Sequence, residues 1–228
     1  MRPVIIIPAR LASTRLPGKM LADINGKPLI VRCMECCMEA DIAPVYVACD
    51  SEEIKSVVEA AGGQGVLTPP ELPSGSDRVF AASEQLDAGF DVILNVQGDQ
   101  PFINPQIVKD LIPALEGADI STPVTTLQPD EVQTDSVVKA IVAEDGRALY
   151  FTRAPIAHGF HHIGLYAYRK PALAKFVSLP PSNLEKLERL EQLRALEHGM
   201  TIKVSHAAES LIAIDTPADL ERARKMVK

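Results

Sequence analysis

The sequence predicts an α/β fold: a doubly wound, mostly parallel sheet with a small antiparallel excursion in its second half. Two observations carry this expectation. From residue 4 to residue 115, short β-branched runs alternate with helical stretches, and strands joined through helices are parallel with right-handed crossovers. From 118 to 170 the helices drop out and short strands follow one another around Asp145-Gly146, a hairpin signal. At 228 residues the chain fits one domain, 1–228, with 118–170 as a β-rich excursion.

The elements follow in order. Val4–Ile7 is a β-branched run suited to a strand buried on both faces. Pro8 is expected to end it, having no N–H for a ladder. Asn25-Gly26 signals a turn, and Leu29–Ala40 reads as a helix behind Pro28. Pro44–Cys49 is a second strand. Asp50-Ser51 caps a helix through Ala61, and Gly62-Gly63 stops it. Val66-Leu67 is a short strand. A loop rich in Pro and Gly leads to Ser74-Gly-Ser-Asp-Arg78, which opens a helix expected to run to about Gly89. Asp91–Val96 is a strand and Asn104–Leu115 a helix. The excursion comprises Ala118–Thr126, Ser136–Ala143, Arg147–Thr152 and one alternating strand, His161–Arg169. Pro171–Val177 is a short helix. Leu184–His198 reads as one helix, with Leu184, Leu187, Leu190, Leu193 and Ala195 as its apolar stripe. Its Glu185, Glu188, Glu191, Gln192 and Arg194 read as a solvated face. Ile202–Val204 and Leu211–Ile214 read as strands. Thr216-Pro217 and Asp219 open the last helix.

Composition narrows the function classes. The net charge is −7, yet residues 1–32 carry six cations (Arg2, Arg10, Arg15, Lys19, Lys27, Arg32) against Asp23, so this stretch is at +5 and the remainder at −12. So acidic a chain is a poor general binder of nucleic acid, whereas one basic island suits one small polyanion. Trp is absent and aromatics are 4%, which argues against stacking on bases. No apolar run approaches a membrane span, and the N-terminus lacks a signal-peptide pattern, so the expectation is a cytoplasmic protein without a membrane partner. Cys33, Cys36, Cys37 and Cys49 lack a Cys-x-x-Cys partner and read as core thiols.

Three strand ends carry candidate chemistry. The loop after the first strand holds Arg10, Ser13, Thr14, Arg15, Gly18 and Lys19. Arg forks and a Lys point charge among small residues suit a triphosphate, and a solvated basic loop would look the same. Asp99, after the Gln97-Gly98 turn, sits where an open α/β sheet can hold a cation in its crevice. An Asx turn is the alternative there. Asp215 stands at another expected strand end, and two carboxylates are what a Mg²⁺ site beside phosphates needs.

The segments IIIPARLASTRLPGKML (from Ile5), SGSDR (from Ser74), NVQGDQP (from Asn95), ALYFTRAPI (from Ala148), HHIGLYAYRK (from His161), SNLEKLERLEQLRALEHG (from Ser182) and IDTPADLERAR (from Ile214) occur in this order across nearly the whole chain. Together they resemble the 3-deoxy-manno-octulosonate (Kdo) cytidylyltransferases. The first segment is common to sugar cytidylyltransferases, while the QGD, HxGLYxYR and LEQLR elements are particular to the Kdo branch. The resemblance implies a Rossmann-like nucleotidyltransferase fold and the reaction of CTP with Kdo to CMP-Kdo and pyrophosphate, for lipopolysaccharide synthesis. It also implies Mg²⁺ and a homodimer. Arg10, Arg15, Lys19 and Asp99 would be catalytic, the first three holding the CTP phosphates. Pro8, Ala9, Arg10, Ser13, Lys19, Ser74, Gly75 and Arg78 would bind the nucleotide, and Asp99 and Asp215 the metal. Gln97, Arg153, His162, Tyr166, Glu191 and Gln192 would line the sugar pocket. The chain departs from the family at Gln100, where a Glu is usual, and in the short stretch Ala157–His161, part of the expected lid and dimer surface. Such departures leave room for another sugar acid, such as 8-amino-Kdo or a sialic-acid-like substrate, or for a CTP-binding protein without turnover.

Overall fold

The computed structural model describes residues 1–13 and 15–227. Thr14 of the basic loop lies outside the described residues. The chain forms two compact units, 1–108 with 211–228, and 109–210.

The first unit opens with β1 (Pro3–Ala9) and a short 3-10 turn, Lys19–Leu21. It continues through β2 (Asp23–Ile24), β3 (Lys27–Pro28), α1 (Leu29–Glu39), β4 (Val45–Cys49), α2 (Glu52–Ala60), β5 (Gly65–Leu67), α3 (Gly75–Ser83) and β6 (Val92–Asn95). The helix α4 (Pro105–Ala114) carries the chain into the second unit. Strand order is β5-β4-β1-β6, every pair parallel, as the alternating pattern predicts. Val4 to Ile7 are fully buried at its centre. Asn25 and Gly26 both take positive φ, 48° and 86°, and close the β2–β3 hairpin.

Pro8 does not end β1. It lies inside the strand, opposite Ala48 of β4. The amide of Ile5 donates to Pro44 on the β4 side, whereas the carbonyl of Ile6 accepts from Val96 on the β6 side. Directions alternate along a strand, so the nitrogen of Pro8 faces the β6 side, where pairing stops at Ile6–Asn95. The next donor on that side after the Val96–Ile6 bond would be the Pro8 nitrogen, so Pro8 ends the β1–β6 ladder while β1 continues against β4. The helix α3 stops at Ser83, well short of Gly89, because the Ser83 hydroxyl turns back to the Phe80 carbonyl at 2.7 Å and the Gln85 side chain donates to Leu67 and Ala81.

The second unit contains β7 (Ile120–Thr126), β8 (Lys139–Val142), β9 (Ala148–Thr152), β10 (Phe160–His162), β11 (Tyr166–Arg169), α5 (Lys170–Ser178), α6 (Asn183–Glu188), α7 (Gln192–Glu197) and β12 (Ile202–His206). Its antiparallel pairs include β7–β11, β7–β10, β10–β8 and β8–β9, while β12 runs parallel to β7. The predicted strand 161–169 is therefore two strands. His162 faces Val124 and Ala167 faces Ser121, so the connecting segment bulges by two residues against β7.

The predicted helix 184–198 is also two pieces. Arg189 turns left-handed at φ 57°, which swings Leu190 inward and starts α7 at Gln192. The supposed solvated face is largely internal. Arg194 and Gln192 are buried, and Arg194 pairs bidentately with Glu185 at 2.6 and 2.8 Å. Leu187, assigned to the apolar stripe, is 75% exposed instead.

The chain returns to the first unit along 211–215, which forms no strand. The amide of Ile214 instead bonds the carbonyl of Asp99 at 2.9 Å. The last helix, α8 (Pro217–Met226), begins with the expected box in which Thr216 and Asp219 cap each other. No helix of the described residues is long and apolar enough to cross a membrane.

Candidate active site

In the first unit a cavity of about 280 Å³ opens at the C-terminal ends of β1 and β6. Its wall includes Pro8, Ala9, Arg10, Ser13, Arg15, Lys19, Ser74, Gly75, Arg78, Gln97, Asp99 and Asp215. The whole expected nucleotide set thus lines one cavity, together with both expected metal ligands and Gln97 from the expected sugar set.

Local structure explains each position. The basic loop leaves β1 at Arg10, and the amide of Leu11 is pinned by the Asp50 carboxylate at 2.9 Å. Gly18 takes φ 66°, which turns the chain so that Lys19 points inward. Lys19 is buried, its ammonium 2.9 Å from Asp99 and 3.0 Å from Asp215. Arg15 reaches the same Asp215 oxygen at 3.2 Å. Gly98 sets the approach of Asp99, since a Cβ there would lie 3.0 Å from the Pro8 carbonyl oxygen. On the other wall, Ser74 caps α3 through the amide of Asp77. Arg78 is buried, and its guanidinium donates to Thr68, Pro69 and Pro70, so it braces the loop that forms the rim. The structural role of Arg78 is one the sequence reading left out.

Asp99 and Asp215 converge on one nitrogen, so two carboxylates can share one small cation there. Groups of three or more His, Cys, Asp or Glu able to hold an ion are absent among the described residues. Mg²⁺ commonly takes only one or two protein carboxylates and completes its shell with phosphate oxygens and water, so this donor set fits it. Beside Asp99, the buried Gln100 has a side-chain oxygen without a hydrogen-bond partner among the described residues. Behind the same turn, the Cys33 and Cys36 thiols donate to the Gln97 and Pro101 carbonyls, each at 3.3 Å. Burial pushes Cys36 up to about 11, so it stays a thiol and serves packing, as expected.

In the second unit the structure brings His162, Tyr166 and Glu191 together. The His162 and Tyr166 rings lie 5.7 Å apart, and Phe151 meets His162 edge-on at 4.8 Å. Burial, then the neighbouring Glu191 charge, raises the Tyr166 phenol far above its ordinary value. Burial, then the His161 charge, lowers His162 to about 3, so its ring is neutral at pH 7. Gln192, next to Glu191 in the chain, is buried, and its side-chain nitrogen has no hydrogen-bond partner among the described residues. The Arg153 guanidinium donates to the carbonyls of Asp135 and Ser136 at 3.1 and 3.4 Å.

Three supporting residues escaped the sequence reading. Glu188 accepts from the Tyr150 and Thr152 hydroxyls and from the Arg153 amide, tying α6 to the end of β9. Lys139 is fully buried, and its ammonium donates to the carbonyls of Thr134 and Arg153. Thr122, also fully buried, contacts the His162 ring nitrogen. Hydrophobic periodicity reads a polar side chain as outward-facing, so none of the three carries a pattern that marks such bonds.

A sequence profile described as cytidylyltransferase matches residues 4–202. A 3-deoxy-manno-octulosonate cytidylyltransferase of Paramagnetospirillum magneticum is 49% identical, covering 99% of this chain and 98% of its own. One from Parvibaculum lavamentivorans is 52% identical, with 97% and 91% covered. A CMP:2-keto-3-deoxy-manno-octonic acid synthetase solved with CTP superposes with a TM-score of 0.94 at 36% identity, covering 99% of this chain and 98% of that one. A 4-diphosphocytidyl-2C-methyl-D-erythritol synthase of Anaerococcus prevotii shares the fold, with a TM-score of 0.70 at 16% identity and 99% and 98% covered. With nearly full-length relatives at about half identity, a matching profile, and a cavity lined by the motif residues, the chain belongs to the 3-deoxy-manno-octulosonate cytidylyltransferase family.

Proposed function

We infer that this protein transfers CMP from CTP to 3-deoxy-D-manno-octulosonate, giving CMP-Kdo and pyrophosphate. The observation that carries the reading is the convergence of Lys19, Asp99 and Asp215 in a cavity rimmed by Arg10 and Arg15. The anomeric 2-hydroxyl of the sugar acid attacks the α-phosphorus of CTP and gives up its proton to water, the bond to the bridging oxygen breaks, and pyrophosphate leaves. Both reactants are anions, so their approach must be offset by positive charge. Arg10, Arg15 and Lys19 would take the phosphates, with Arg10 and Arg15 as forks and Lys19 as a point charge. Pro8, Ala9, Ser13, Ser74 and Gly75 would shape the nucleotide wall, with Arg78 bracing it. Asp99 and Asp215 would hold Mg²⁺, which supplies charge neutralisation at the transferring phosphoryl group. Gln97, His162, Tyr166, Glu191 and Gln192 would meet the sugar, and Arg153 its carboxylate once released from the Asp135 and Ser136 carbonyls. The buried side-chain nitrogen of Gln192, without a partner among the described residues, supports this reading, because such a group waits for an acceptor. A homodimer is proposed on the family resemblance.

The test is pyrophosphate release from CTP and Mg²⁺ with Kdo, an 8-amino-Kdo analogue and sialic acid in parallel. Turnover with Kdo and its loss in Asp99→Asn support the assignment. Turnover only with another sugar acid moves the substrate and keeps the chemistry. CTP binding without release for any of them makes the protein a nucleotide-binding relative, and points to Gln100 and the short 157–161 stretch.

A further inference from the structure

The bulge between β10 and β11 is organised around one hydroxyl. Thr122 Oγ1 lies 2.7 Å from the Leu165 carbonyl oxygen and 2.8 Å from His162 Nε2, with the Ile163 carbonyl more distant at 3.3 Å. The Thr122 side chain is completely buried, so water does not compete. A hydroxyl has one proton to give. That proton goes to Leu165, whose only available role is acceptor, so Thr122 must accept from the ring. His162 is buried and neutral, and therefore carries one ring proton, which this bond places on Nε2.

We propose that Thr122 is a positioning residue that locks His162 in its Nε2–H tautomer, so that Nδ1 is offered as a hydrogen-bond acceptor to a hydroxyl of the sugar acid. This rests on the reading that His162 meets the sugar. The same Thr122 oxygen holds the Leu165 carbonyl, immediately before Tyr166, so one residue sets the ring orientation of His162 and the backbone entry to Tyr166. A polyhydroxylated substrate is the chemistry such an acceptor selects, and a substrate lacking the matching hydroxyl is penalised by the unpaired group.

The experiment uses ¹⁵N-histidine-labelled protein and long-range ¹H–¹⁵N correlations at pH 7.5. The signals of His162 are identified among the five histidines by their loss in His162→Gln. Wild type and Thr122→Ser should show Nε2–H with a bare Nδ1. Thr122→Val should show the other tautomer or a mixture, with KM for the sugar acid raised on the order of tenfold, KM for CTP unchanged, and activity restored in Thr122→Ser. An Nδ1–H tautomer in wild type overturns the proposal, as does Thr122→Val with tautomer and sugar KM both unaltered. If His162→Gln leaves the sugar KM unchanged while the Nε2–H tautomer is found, the placement of His162 at the sugar fails, and the acceptor role with it.

Discussion

Acid should destabilise the second unit through His162 in a way that can be measured against a single variant. The ring is buried against Phe151 and its ordinary value of 6.5 falls to about 3, chiefly through loss of hydration and secondarily through His161. A histidine whose folded value is depressed contributes fully above its unfolded value, and that contribution is lost as pH falls, because the unfolded chain binds the proton and the folded chain refuses it. Between pH 8 and pH 5 the unfolded imidazole becomes almost wholly protonated while the folded one stays neutral. With a folded value near 3 and an unfolded value of 6.5, the linkage amounts to about 2 kcal/mol at pH 5. His162→Gln removes the titration and keeps an amide donor for Thr122. The assay is urea unfolding followed by tyrosine fluorescence, since Tyr150, Tyr166 and Tyr168 of the four tyrosines lie in the second unit. Other ionisable groups contribute equally to both proteins, so the difference between the two pH profiles isolates His162. Wild type should lose about 2 kcal/mol more than the variant on going from pH 8 to pH 5. Parallel profiles would refute the reasoning, for they would mean that the folded ring accepts a proton at no cost.

Further predictions rest on single contacts. Burial opposes ionisation of Glu185, but the Arg194 guanidinium and the Ser182 amide outweigh it and hold the carboxyl below its ordinary 4.5; Arg194→Met strands that charge and should cost about 3–5 kcal/mol in urea unfolding, with Glu185→Leu/Arg194→Met recovering most of it. Glu188→Ala removes the acceptor of two hydroxyls and one amide, and should cost about 2–3 kcal/mol by the same assay, while Glu188→Gln costs less. Gly98→Ala puts a methyl group 3.0 Å from the Pro8 carbonyl and 3.2 Å from Met20 and Ile30; circular dichroism should stay native while kcat/KM falls on the order of a hundredfold, since the displaced turn carries Asp99.

Much of the first unit was legible in the sequence because its signals are local. Ser51 before α2, Asn25-Gly26 in the hairpin, and Thr216-Pro217 with Asp219 before α8 each act within a few residues of where they stand. The site residues were legible for a different reason. Lys19 meets partners 80 and 196 residues away, a relation no periodicity encodes. Lys19 and Asp99 emerged because they lie on the segments that follow β1 and β6, where an α/β sheet gathers its ligands, and Asp215 because its motif matches a family, since the strand expected before it does not form.

What escaped the sequence has a common physical origin: polar side chains whose partners are buried inside the protein rather than in water. Hydrophobic periodicity counts Glu185, Glu188, Gln192 and Arg194 as outward-facing, which favours one continuous helix over 184–198. Burying Arg194 against Glu185 removes that premise. Once those groups turn inward, Leu187 is left in solvent and the chain must reverse handedness at Arg189 to bring Leu190 back to the core. The bulge at 163–165 has the same cause, since the Thr122 hydroxyl takes a carbonyl that a regular ladder would have used. Pro8 shows the converse. Its missing N–H ends the ladder on the β6 side only, while its carbonyl side leaves the pairing with β4 intact through Ala9, so the strand outlasts the proline. These other departures from the sequence pattern mark places where a polar contact between side chains or with the backbone overrides hydrophobic periodicity. In the second unit those places are the supports beneath His162 and Arg153, which is why these two expected sugar residues could be named from motifs while the groups that hold them could not.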